Sequence, residues 1–298
     1  MRKTLLMVSG LLLAVLLWYF FLKPQDYLVR FEARANPGTI YESAKAWNKT
    51  FDSVLPFQYG DPTRFQQQLL MGDSLHIYDW KITRIHDSLS KVRVNIKDPE
   101  HSLWNKIRVP FSNTDFEKGA RKKLLDFNAF LNDHLDEFEV TILGEDELFT
   151  TFCACVPIRS APEDKARGMM ANYSLLNSYL VGHGVTLNGL PMIEVEEWDL
   201  EANSMLYNFC FPIIRSESLP KHPDIIYKRI FGKKSIKAIY NGHYISSDRA
   251  WYALVDYAEK HGIPIERKPV EIFFNNPNLG GDGLDWKTEI FMPIKESN

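Results

Sequence analysis

The sequence predicts an α+β protein: an apolar N-terminal helix, an antiparallel-sheet segment, then a tandem strand–helix–strand–strand repeat. Three observations carry this. Nineteen uncharged, mostly apolar residues run from Thr4 to Leu22. The segment 26–144 mixes alternating strand patterns with two amphipathic helices. The C-terminal half, 146–296, resembles itself: "YLVGHGVTLNGLPMIEV" aligns with "YAEKHGIPIERKPVEIF", matching Tyr179, His183, Gly184 and Pro191 to Tyr257, His261, Gly262 and Pro269.

The first element, residues 1–23, reads as a membrane anchor. At ~1.5 Å per residue, Thr4–Leu22 makes a helix about 28 Å long, against a bilayer core of ~30 Å. It ends in "LWYFFLKPQ", an aromatic belt suited to the interface. Arg2 and Lys3 against a lone Lys23 keep the N-terminus cytoplasmic, with the rest of this single-pass chain on the periplasmic or extracytoplasmic side. A cleaved signal peptide is the rival reading; its apolar run would be shorter and followed by small residues.

In segment 26–144, "DYLVRFEARA" alternates as a strand. "NPGTIYESAKAWNKTF" follows as a helix, with Pro37 in its first turn and Ile40, Ala44, Trp47 and Phe51 on one stripe. "TRFQQQLLMG", "LHIYDWKITRI", "KVRVNIKD" and "WNKIRVPFS" read as strands. The closing helix carries a Thr114/Glu117 capping box and the stripe Phe116, Ala120, Leu124, Phe127, Leu131 and Leu135. In this order of elements the segment resembles the START/polyketide-cyclase-like (SRPBCC) helix-grip family, which implies a curved sheet gripping its last helix.

In the repeats, "MMANYSLLNSYLV" and "DRAWYALVDYAEK" are the helices, with Leu176 matching Leu254. Each His-Gly closes its helix, the glycine taking the left-handed position and the histidine complementing the helix dipole. "NLGGDGLDW" reads as the turn between the last two strands. Cys153 and Cys155 lie two apart on one strand and share a face, so they do not bond each other; Cys210 can pair with either, or all three are small buried apolar residues.

A net charge of −3, with 45% hydrophobic and 24% charged residues, is ordinary globular composition and argues against nucleic acid as a partner. No metal-ligand spacing, nucleophile elbow or phosphate loop is present, so neither metal nor cofactor is expected.

The run from "IKAIYNGHYISSDRAW" through "KPVEIFFNNPNLGGDGLDW" to "KTEIFMPI" resembles the GyrI-like small-molecule-binding domain, also the effector-binding domain of AraC-type and MerR-type regulators. The resemblance implies a concave, aromatic-lined pocket between the two repeats, with a buried acid on the closing strand. Glu289 stands at that position, and Asn208 at the matching place in the first repeat. Tyr240, Tyr244, Trp251, Phe273 and Trp286 are the candidate ring wall, faced by Tyr173 and Trp198. A carboxylate among rings attracts a lipophilic cation, or holds a proton for acid–base chemistry; alternatively Glu289 pairs with a basic side chain at a sheet edge. Three functions stay open: binding an apolar or cationic small molecule, hydrolysing a reactive one, or an envelope scaffold.

Overall fold

The computed structural model describes residues 2–53 and 55–296; Met1, the first residue of the expected anchor, lies outside them. The chain divides into two compact units at Asn132/Asp133.

The first unit starts with α1 (Arg2–Leu17), which passes directly into a π-helical turn, Trp18–Leu22. The amide of Lys23 reaches the Trp18 carbonyl at 2.8 Å, the wider spacing of a π turn. The expected continuous α-helix over Thr4–Leu22 is thus the α-helical stretch 4–17 plus this five-residue turn. Among the described residues, no helix is long and apolar enough to cross a membrane. Leu6, Met7, Leu11, Leu13 and Phe21 are all strongly exposed.

A four-stranded antiparallel sheet follows, built from β1 (Tyr27–Ala33), β2 (Arg64–Met71), β3 (Ser74–His86) and β4 (Leu89–Lys97) in the order β1-β4-β3-β2. Helix α2 (Pro37–Asn48) begins where the Asn36 side chain accepts the Thr39 amide at 2.8 Å, with Pro37 in its first turn. "WNKIRVPFS" is not a strand. It contributes α3 (Ser102–Arg108), because Asp98 accepts the amides of Glu100 and His101 and curls the chain ahead of the helix. Helix α4 (Asp115–Leu135) opens with the Glu117 amide on the Thr114 hydroxyl at 3.1 Å. Phe116, Ala120, Leu124, Phe127 and Leu131 of its stripe are buried, Leu135 half-buried, and Phe127 meets the rings of Phe31, Trp47 and Trp80. Both helices therefore pack around one face of the sheet.

The second unit is an eight-stranded antiparallel sheet carrying two helices. Its elements are β5 (Phe138–Leu148), β6 (Thr151–Ser160), α5 (Lys165–Gly182), β7 (Met192–Asp199), β8 (Ser204–Pro212), β9 (Ile226–Ile230), β10 (Lys233–Gly242), α6 (Asp248–His261), β11 (Val270–Phe273) and β12 (Lys287–Pro293). The order is β5-β10-β12-β11-β7-β8-β6-β9. Since β5 pairs with β10, residues 138–144 belong to this sheet, and the first segment ends with α4, not near residue 144.

The duplication is visible in that order, as β10-β12-β11 of the second repeat meets β7-β8-β6 of the first. Both His-Gly corners close helices as expected: His183 and His261 each bond the carbonyl four residues back at 2.8 Å, and Gly262 takes φ 65°. The leading strands cross over. β5 precedes β6 in sequence but pairs with β10, and β9 precedes β10 but pairs with β6. The register runs through the corner, Leu148 facing Lys233 and Thr151 facing Ile230. Gly232 sits there because a Cβ would lie 2.7 Å from the Leu148 carbonyl oxygen.

On the face opposite the helices, Cys155 lies directly across from Cys210 and the two form a disulfide; Cys153 is free and buried. Burial pushes the Cys153 thiol up to about 12, making it a packing residue. The crosslink spans 55 residues, worth about 4 kcal/mol on the chain-entropy account. Reductant should therefore lower the urea midpoint of the wild type clearly, and that of Cys155→Ala/Cys210→Ala not at all.

Candidate functional site

Strand β11 decides which side chains enter the core. Glu271 and Phe273 share one face by alternation, and Val270 and Ile272 the other. Glu271 is fully buried on the helix-covered face. Its carboxylate accepts the Lys165 ammonium at 2.9 and 3.0 Å, the Trp251 indole N–H at 2.6 Å and the Ser247 hydroxyl at 3.0 Å. Lys165, also fully buried, gives a further hydrogen bond to Ser247 at 2.5 Å and lies 4.7 Å over the Trp251 ring. Burial raises the Glu271 pKa above the usual carboxylate range, opposed by Lys165, Ser247 and Trp251. With an ammonium and two further donors converging on it, the group is held as the carboxylate of an ion pair.

The position of this pair follows from the duplication. By the alignment of His183 with His261, Glu271 is the counterpart of Ile193, and the two face each other where β11 pairs with β7. Equivalent residues lie opposite one another at the centre of the sheet. Two glutamates there would bring buried carboxylates together, so one copy carries isoleucine.

Beside the pair, a cleft of about 370 Å³ opens between α5 and the loop joining β11 to β12. Tyr173, Tyr244, Phe273 and Trp286 line it, with Met169 and Met170 from α5 and Phe209 from β8. Tyr244 is fixed at both ends. Its ring packs at 4.7 Å on Phe273 and 5.6 Å on Trp286, while its hydroxyl donates to the Asn275 carbonyl at 2.9 Å. Burial carries that phenol up to about 12, so it remains protonated. His243, Asn275 and Asn276 supply the polar part of the lining, and among the described residues no Asp, Glu, Lys or Arg belongs to it.

Four residues singled out from the sequence thus meet in one cleft. Trp251 and Tyr240 do not line it. Trp251 lies beneath, bonded to Glu271 and packed edge-on to Trp198; Tyr240 is buried with its hydroxyl 2.8 Å from Ser246. Glu289 and Asn208 lie on the opposite sheet face. Glu289 pairs across the strands with Ile272, so it points away from Glu271 and Phe273. It is half-buried beside a second cleft of about 270 Å³, held by Lys287 at 2.8 Å and Lys237 at 3.1 Å. Burial pushes its pKa up, but the hydrogen bonds from Lys287 and Lys237 outweigh that and hold it below the ordinary range. Asn208 donates to Glu194 at 3.1 Å and Glu196 at 2.6 Å, within a network completed by Lys228. The expected solitary buried acid is therefore Glu271, not Glu289. Its signal lay inside "PVEIFFNNP": a strand that sends Phe273 to the cleft sends Glu271 to the same side.

Residues 152–295 match the family described as GyrI-like small molecule binding domain. The C-terminal unit is GyrI-like. Among solved structures, the chain is similar to the C-terminal domain of EcmrR at 18% identity, covering 54% of this chain and 99% of that one with a TM-score of 0.43. It is similar to a hydrolase from Listeria innocua at 12% identity, covering 53% and 92% with a TM-score of 0.31. It is similar to SAV2435, solved bound to tetraphenylphosphonium, at 12% identity, covering 53% and 94% with a TM-score of 0.34. No curated protein matches the chain.

The GyrI-like domain gives Glu289 a role in stability that depends on pH. Its folded pKa is depressed, so its contribution is present above the ordinary value of 4.5 and lost as pH falls through the folded value. Glu289→Gln should lower stability at pH 7 by about 0.5–1 kcal/mol, a gap that closes below pH 4 in urea titrations. A gap independent of pH would exclude the ion pair as its source.

Proposed function

We propose that the GyrI-like domain takes up a small, predominantly apolar molecule in the cleft walled by Tyr173, Tyr244, Phe273 and Trp286. The observation that carries this is the cleft itself: about 370 Å³, aromatic, and beside the junction of the two repeats. Its size and lining are those of a small-molecule site. Binding is favoured over hydrolysis because, among the described residues, no carboxylate lines the cleft and Glu271 has its acceptor capacity filled by three donors. Among the described residues, the wall places no carboxylate beside His243 to make an acid–base pair with it.

Trp286 makes the reading measurable. Titration of the protein with triphenylphosphine oxide or a related triaryl compound should give saturable quenching that Trp286→Phe removes. Tyr173→Ala, which trims a half-buried ring of the wall, should weaken binding roughly tenfold. Linear quenching without saturation across neutral and charged triaryl compounds would sink the reading.

We read the first unit as helix-grip-like, in support of which α2 and α4 pack on one face of its antiparallel sheet. We also propose that the N-terminal segment holds the chain to a membrane with the two units on the oxidising side. Exposed apolar surface along α1 supports this, as does the Cys155–Cys210 disulfide. So does Lys106, whose ammonium donates to the carbonyls of Phe20 at 3.2 Å and Lys23 at 2.6 Å, fixing the end of that segment beside exposed Trp104 and Phe111. The full chain should sediment with membranes and resist carbonate extraction, whereas a chain starting at Lys23 should stay in the supernatant.

A further inference from the structure

The cleft lies against an internal ion pair, and this bears on which molecules it accepts. Ring faces alone attract a cation weakly, so a site that prefers a lipophilic cation to a neutral molecule of the same shape needs an uncompensated carboxylate beside its rings. The buried acid on the same face of β11 as the lining residue Phe273, Glu271, has neither a free oxygen nor a free charge. Lys165 holds both its oxygens, and Ser247 and Trp251 complete the shell. The pair is net neutral whether the proton sits on nitrogen or on oxygen. The compensating cation comes from within the chain, on the first residue of α5, one position before the lining residue Ala166.

Ring faces point the same way. Phe274, part of the cleft wall, already carries the Lys287 ammonium 4.2 Å from its ring centroid. Lys287 is in turn anchored by Glu289 at 2.8 Å. Trp251, the aromatic beneath the floor, has Lys165 over its face. Two of the ring surfaces near the cleft are thus occupied by the protein's own cations. What remains is the neutral lining of Tyr173, Tyr244, Phe273 and Trp286, with two methionines able to adapt to shape.

We infer that this cleft selects neutral aromatic or polycyclic molecules over lipophilic cations of the same shape, because Lys165 has taken the place a ligand cation would fill. The inference rests on the small-molecule reading above and deepens it.

The pair triphenylphosphine oxide and methyltriphenylphosphonium tests it, since the two differ little in shape and by one charge. In tryptophan-fluorescence titrations of the full-length protein, the oxide should bind roughly tenfold or more tighter than the phosphonium. Lys165→Met exposes the Glu271 carboxylate and should raise phosphonium affinity about tenfold while leaving the oxide within about twofold. Lys165→Met/Glu271→Leu removes both charges, restores a well-matched apolar contact, and should return the preference to the oxide. Where Lys165→Met alone does not fold, the wild type and the double variant still decide the matter. A wild type that binds the phosphonium as tightly as the oxide overturns the neutral selectivity and leaves the small-molecule site standing. Binding of neither compound overturns the site and the selectivity together.

Discussion

The buried contact between Lys165 and Glu271 is the constraint on which the C-terminal unit depends. It joins the start of the first repeat's helix to the central strand of the second, 106 residues apart in sequence. Each ion costs several kcal/mol to remove from water, and only a fully bonded geometry offsets that. The geometry is present: an ammonium across both carboxylate oxygens, a hydroxyl and an indole N–H. Because the pair is satisfied only in one arrangement of α5, α6 and β11, it specifies how the two repeats meet. Phe273 lies two residues along β11 from Glu271, and the Ser247 hydroxyl lies 3.1 Å from the Tyr244 carbonyl, so the cleft inherits its shape from this contact.

The two faces of the large sheet divide the labour of charge. On the helix-covered face, ionic groups at the repeat junction are few and internally closed, leaving an uncharged aromatic surface. On the other face, Lys228 with Glu194 and Glu196, and Lys237 with Asp146 and Glu289, form networks reaching solvent. Solvent screening makes each surface pair individually weak, and their value lies in keeping carboxylates and ammoniums matched along an open face. Glu289 belongs to that system, which explains an acid within an otherwise greasy strand.

Much of this was legible in the residues. The duplication, its helix-closing His-Gly corners, the loop between the last two strands and the stripe on α4 all follow from periodicity and capping chemistry. Alternation along β12 puts Thr288, Ile290 and Met292 on the core face and Glu289 with Phe291 on the other. What alternation in one strand cannot supply is which face meets the cleft; that needs the register of β12 against β11, where Glu289 lies opposite Ile272. Lys165 carried no local signal, since its partner is distant and its helix start reads as a polar turn. The segment "WNKIRVPFS" alternates like a strand, but Asp98, tied through the Asp26 carboxylate to its amide at 2.9 Å, sets the chain into a helix instead. Tertiary hydrogen bonding outweighed local pattern there.

The crossing of the two leading strands has a consequence for how the two halves of the sheet can separate. β5 is stitched to the opposite repeat along its length, and so is β9, in the manner of two clasped hands. Prising the halves apart would unzip both seams at once, so the interior does not open by hinging. The stretch around Gly280 and Gly281, with its left-handed backbone, belongs to neither seam. Each half of the duplicated unit thus holds a strand of the other, and neither can leave without breaking both ladders.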